Sequence, residues 1–207
     1  MKKIVTLVSC FAISLSVFSQ SDNTTNNNNV ASPAKQSVFS VGVHGGFGHS
    51  YITTNNHSRF HPSWDAGVAA IYAPWANWGL ELGVRYSVEG TKNNSSLTNT
   101  DYTTELRYIR IPLKAVYFVG PYENDFRPKF SIGPVIGFLQ DETNGIGAKA
   151  VDFGATVSAG FHYRLAKAIW FTTDVKFYQG FIDIYPQTAN NDLNGNIRLD
   201  LGLNFGF

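Results

Sequence analysis

Charged residues recur in this sequence at alternate positions of otherwise apolar segments, a spacing suited to ion pairing, proton relay or ion passage. The set is Asp65, Glu81, Arg85, Glu89, Arg110, Lys114, Lys129, Asp152, Arg164, Asp174, Lys176, Arg198 and Asp200. Side chains two or four apart share one face of a strand, so these residues fall on one side of a sheet with their apolar neighbours on the other. Their signs nearly balance. Buried charge is tolerated when it is paired and hydrogen-bonded, which predicts a packed ion-pair network. A narrow ion path or a proton relay is the functional alternative.

Other chemistry is less well supported. His44, His49, His57 and His61 cluster in one part of the chain, but His57 and His61 carry a helical ligand spacing in a segment that reads as loop. The run Asn190-Asn191-Asp192-Leu193-Asn194-Gly195-Asn196-Ile197 copies the first half of a calcium loop, yet the position that needs Glu is Leu201. Asn194-Gly195 is better read as a turn. Ser158 with His162, and Ser40 with His44, share faces, but four strand residues span roughly 13 Å, too far for a dyad without a partner from another strand. The expectation is no metal, no cofactor and no enzymatic activity.

The elements that must carry these residues are strands. In 196–207 the odd positions Ile197, Leu199, Leu201, Leu203, Phe205 and Phe207 are apolar, while the even ones are Arg198, Asp200, Gly202, Asn204 and Gly206. Similar alternation marks 38–51, 63–73, 78–90, 102–118, 128–139, 151–164 and 169–179. Polar or turn-forming segments separate them: 53–61 long, 74–77 short, 91–101 long, 119–126 medium, 141–150 long, 165–168 tight and 180–195 long. Pro112 lacks a ladder donor, so a bulge or a break in pairing is expected there.

An even strand count with long and short connections in turn predicts an all-β fold, an eight-stranded antiparallel up-and-down transmembrane β-barrel. A soluble calyx would have to bury the charged face of nearly every strand. Residues 1–19 read as a signal peptide, 20–36 as a flexible periplasmic segment and 37–207 as the barrel. A lipoprotein cleavage box ending at Cys10 is the rival reading of the start. Cys10 is the sole cysteine, so cleavage at 19 would remove disulfides and thiol chemistry. Net charge is +1, which argues against nucleic acid. An eight-stranded barrel has an interior that side chains can fill. Trp64, Trp75, Trp78, Trp170 and Tyr51 are expected in aromatic girdles at the two membrane surfaces.

The runs Tyr108-Ile109-Arg110-Ile111-Pro112-Leu113-Lys114, Phe130 to Phe138 with Gly133-Pro134, and Phe177-Tyr178-Gln179-Gly180-Phe181-Ile182-Asp183-Ile184 resemble those of PorT-like outer-membrane β-barrel proteins, typical of Bacteroidota. Arg110 departs from the acidic residue usual there. Phe207 resembles an assembly signal read by the barrel-insertion machinery. The resemblance implies a location in the outer membrane, with its lipid and that machinery as partners. It leaves function open, because some members assist protein secretion. The reading is a monomeric barrel with a plugged polar interior and a structural or interaction role through its extracellular loops, where a protein partner would sit. A secretion accessory, a lipid-modifying enzyme and a small ligand-binding barrel are the alternatives.

Overall fold

The computed structural model describes residues 38–53, 58–95, 100–188 and 190–206. The expected signal peptide, the lead-in segment, His57 and Phe207 lie outside them. The strands are β1 (Phe39–Ile52), β2 (Ser58–Arg59), β3 (His61–Tyr72), β4 (Trp78–Ser95), β5 (Thr100–Phe118), β6 (Phe126–Thr143), β7 (Val151–Ala166), β8 (Ile169–Gly180) and β9 (Asn194–Gly206). Each pairs antiparallel with its neighbours, β1 also pairs with β9, and β2 and β3 form one stave along β4, broken only at Phe60. The result is a barrel of eight staves closed by the β1–β9 pairing.

Paired positions followed once round the barrel run from Tyr72 through Leu80, Ala115, Ile132, Val157, Phe177, Ile197 and His49. They return to β3 at Pro62, ten residues from the start. This stagger corresponds to strands tilted by about 40° to the barrel axis. The alternation sorts side chains cleanly: Leu82 is 52% exposed on the outside, whereas Glu81 beside it is 1% exposed inside. The outer face is apolar from Trp78 up to the level where Val88 pairs with Arg107. At about 3.4 Å per residue and this tilt, the band is roughly 25 Å tall, as outer-membrane barrels require.

Several strands run further than their apolar alternation. Most of 91–101, expected as loop, is strand, because β4 continues to Ser95 and β5 starts at Thr100; β6 likewise reaches Thr143. Above Arg107 the outward positions become Glu105, Thr103 and Lys92. Outside lipid a strand needs no apolar face, so the ladder persists after the hydrophobic pattern has ended. At Pro112 the expected break in pairing is present, since Pro112 and Ile111 have no partners on β4, while the register shift falls between Arg107 and Tyr108. At Pro112 the β4–β5 ladder passes from Leu82–Leu113 to Arg85–Arg110 with register unchanged.

Candidate functional site: the filled lumen

A network of ion pairs fills the interior. In the middle layer Asp65 accepts from Arg85 Nη1 at 2.8 Å, Lys176 Nζ at 2.7 Å and Arg198 Nη1 at 2.7 Å. Asp200 meets Arg85, Lys176 Nζ at 2.9 Å and His44 Nδ1 at 3.3 Å. Glu89 accepts from Arg110 Nε at 3.0 Å and Nη2 at 2.6 Å, from Asn194 Nδ2 at 2.6 Å and from Ser87 Oγ at 2.6 Å. Arg110 also donates to Asp152 at 2.8 Å and lies 4.3 Å from the ring centroids of Tyr108 and Tyr178. Arg198 joins the two halves by approaching Glu89 at 3.3 Å. Two further pairs, Lys114 with Glu81 at 2.7 Å and Lys129 with Asp174 at 2.8 Å, complete the filling. A cavity of about 30 Å³ remains among Arg85, Arg110, Lys176 and Tyr178. That is room for two or three waters at about 10–15 Å³ each.

The structure thus pairs twelve of the thirteen predicted charges with one another inside the lumen, each of these carboxylates meeting at least one cation. Arg164 is the exception. It sits at the end of the barrel where β1 begins and β9 ends, over the Trp170 ring at 4.5 Å, and its carboxylate neighbour is the exposed Asp125 at 3.6 Å. Trp170 is correspondingly not in a girdle. It points inward, 4% exposed, because it shares the face of Thr172 and Asp174. Arg127, missed because the strand was begun at 128, has the same parity as Lys129 and is buried inside. Trp64, Trp75 and Trp78 do face outward, with Trp78 against Tyr117 at 4.9 Å and Trp64 against Tyr86 at 5.8 Å.

At the opposite end the 181–193 connection folds back into the mouth. Ile184 and Tyr185 are buried against Ile52, Leu106 and Tyr108. The cap is pinned by Lys149 N to Ile184 O at 2.9 Å, Ile184 N to Asp192 O at 2.9 Å and Tyr185 Oη to Glu142 at 2.9 Å. Burial, and then donation to the Glu142 carboxylate, pushes the Tyr185 phenol well above its ordinary range. Periodicity carries no sign of this insertion, which depends on a loop meeting residues far away in sequence.

The other candidates do not converge. Ser158 bonds Ser131 at 2.7 Å, while His162 packs on Phe118 and Trp170. Asn194 and Asn196 point into the lumen toward Glu89. Among the described residues no three His, Cys, Asp or Glu side chains gather as a metal site would need. One pairing appears that spacing alone did not suggest: Ser50 Oγ lies 3.1 Å from His61 Nδ1. That serine is fully buried, and its hydroxyl exchanges hydrogen bonds with the backbone of Gly90, accepting from N at 2.9 Å and lying 3.0 Å from O.

A closed, tilted, eight-stave barrel with an apolar belt and a charged, filled interior is the architecture of a small outer-membrane protein. The chain belongs to the outer membrane protein beta-barrel domain family, whose model matches residues 12–205. Its fold is similar to that of OprG from Pseudomonas aeruginosa, at 15% identity and TM-score 0.55, covering 82% of this chain and 95% of that one. It is similar to Neisserial surface protein A at 16% identity and TM-score 0.54, covering 83% and 98%. The outer membrane enzyme PagL is similar at 10% identity and TM-score 0.50, covering 78% and 97%. No curated protein matches the sequence. Family and fold together indicate the outer membrane as its location.

Proposed function

We propose that the protein is a non-conducting, monomeric barrel that serves as a membrane anchor and interaction module through its extracellular surface. The observation that carries this reading is the closure of the lumen: a continuous ion-pair layer in the middle, and Ile184 and Tyr185 seated in the outer mouth. An ion would have to displace paired side chains that are themselves nearly inaccessible to water. The β4–β5 hairpin, continuing past the lipid band to Ser95 and Thr100, offers a paired platform for a protein partner. Reconstitution in planar bilayers tests the closure, with flat current traces expected; steady, large single-channel steps would overturn it. Cross-linking from Lys92 on intact cells tests the platform, and recovery of lipid alone would count against it.

The resemblance of the Tyr108–Lys114 run to PorT-like proteins supports a narrower form, an accessory of protein secretion. Deletion followed by a survey of secreted proteins separates that role from a passive anchor. A lipid-modifying activity would need an accessible nucleophile. The Ser50–His61 pair is enclosed and its hydroxyl is engaged with Gly90, so we read the chain as lacking that activity. Lipid A deacylation abolished by Ser50→Ala in a folded barrel would reverse this reading.

A further inference from the structure

Two arginines at the end of the barrel near the start of β1 stand outside the lumen's pairing. Arg127 is 5% exposed, yet among the described residues it meets no carboxylate at ion-pair distance. Its Nη2 donates to the carbonyls of Ala76 at 2.8 Å and Gly120 at 3.2 Å, and its guanidinium lies 4.7 Å from the Phe118 ring centroid. Arg164 is held over Trp170 and Tyr122, with its neighbour Asp125 71% exposed at 3.6 Å. The Nε atoms of both arginines and Nε2 of His162 are buried without a hydrogen-bond partner. Arg127 and His162 line a cavity of about 40 Å³, walled by Phe118, Tyr122 and Trp170. A buried guanidinium with no carboxylate at ion-pair distance is costly, and an unused N–H beside a cavity marks a position for an acceptor. At about 10–15 Å³ per water-sized group, the space takes about three such groups.

We propose that this cavity is a binding site for a small oxyanion, a carboxylate or phosphate group entering from the periplasmic side. Arg127 Nε–H and His162, in its Nε2–H tautomer, donate to it, and Arg164, held over the Tyr122 and Trp170 rings that wall the cavity, adds charge from behind them. The aromatic walls exclude water and so strengthen the pairing. The site is separate from the extracellular surface and independent of what that surface binds.

Trp170 reports on the cavity once the three outward tryptophans are replaced as W64F, W75F and W78F. The folded barrel in detergent would be titrated with sodium phosphate and, separately, sodium acetate at constant ionic strength. A saturable change in Trp170 emission is expected with at least one of them, and which one saturates distinguishes phosphate from carboxylate chemistry. Arg127→Gln should weaken binding roughly tenfold or more, the usual cost of a lost charge-assisted hydrogen bond. A linear drift with both salts, or an unchanged curve in R127Q, overturns the proposal. If R127Q loses its heat-modifiable fold, Arg164→Gln at the rim carries the same test: weaker binding supports the site, and unaltered binding refutes it.

Discussion

The middle of the lumen and its extracellular mouth close the same barrel by opposite means. In the middle, Asp65 holds cations from three different strands, Arg85 on β4, Lys176 on β8 and Arg198 on β9, so the filling ties opposite walls together. At the mouth, Ile184 and Tyr185 come from one connection and rest on apolar side chains of β1 and β5. Loss of a charge in the first region leaves partners buried and uncompensated, whereas loss of a methyl group in the second leaves a space beside water. The two closures should therefore differ in energetic cost and in consequence for permeability.

Asp65→Ala should have the largest effect, lowering stability by about 3–5 kcal/mol because three cations lose their shared anion. Urea unfolding in lipid vesicles, read by heat-modifiability, measures it, and a near-neutral result would mean that the network is solvated. Leu82→Arg on the outer belt should cost about 2–4 kcal/mol near the bilayer midplane. If it costs nothing, the inside and outside faces have been exchanged.

Ile184→Ala should cost about 2 kcal/mol, the low end for a buried isoleucine, because a connection can relax around the space. Opening the cap further with Ile184→Ser and Tyr185→Ala together should leave conductance at zero, since the middle layer still blocks the path. Current through that double variant would mean that the cap, and not the charge layer, is the seal. Tyr185→Phe is the mildest change, about 1.5 kcal/mol, the low end for one hydrogen bond to a carboxylate. Because the folded pKa of Tyr185 is raised, its contribution is fully present below the ordinary tyrosine pKa of about 10 and is lost as pH rises through the folded value. Unfolding measured between pH 8 and 11 should therefore show a decline at the alkaline end that Tyr185→Phe reduces.

Parity made most of the site legible. Glu81, Arg85 and Glu89 lie inward because Leu80, Leu82, Val84 and Val88 alternate with them, and the same counting placed Asp152, Asp174 and Lys176. Arg127 and Trp170 obeyed the rule as well. Neither was legible, because Pro128 directly after Arg127 reads as a strand start and a tryptophan beside a tight turn fits a girdle as well as a lumen. The upper reaches of β4 and β5 were not legible as strand, since alternation reports lipid on one side and there is none above Arg107. Nor was the Ser50–His61 pair, which depends on β1 and β3 lying side by side at one level.

The sequence by itself determined the lipid-facing part of each strand, its inward and outward faces and the near balance of interior charge, because side-chain direction in a strand alternates residue by residue whatever lies next to it. Only the tertiary structure decided which charges meet, how far the ladder climbs beyond the lipid, and that a loop seals one mouth while two arginines remain at the other. The first of these follows from the ten-residue stagger at closure, which sets side chains more than a hundred positions apart, such as Asp65 and Lys176, at one height; the others depend on where lipid ends and on contacts that a loop makes with distant strands.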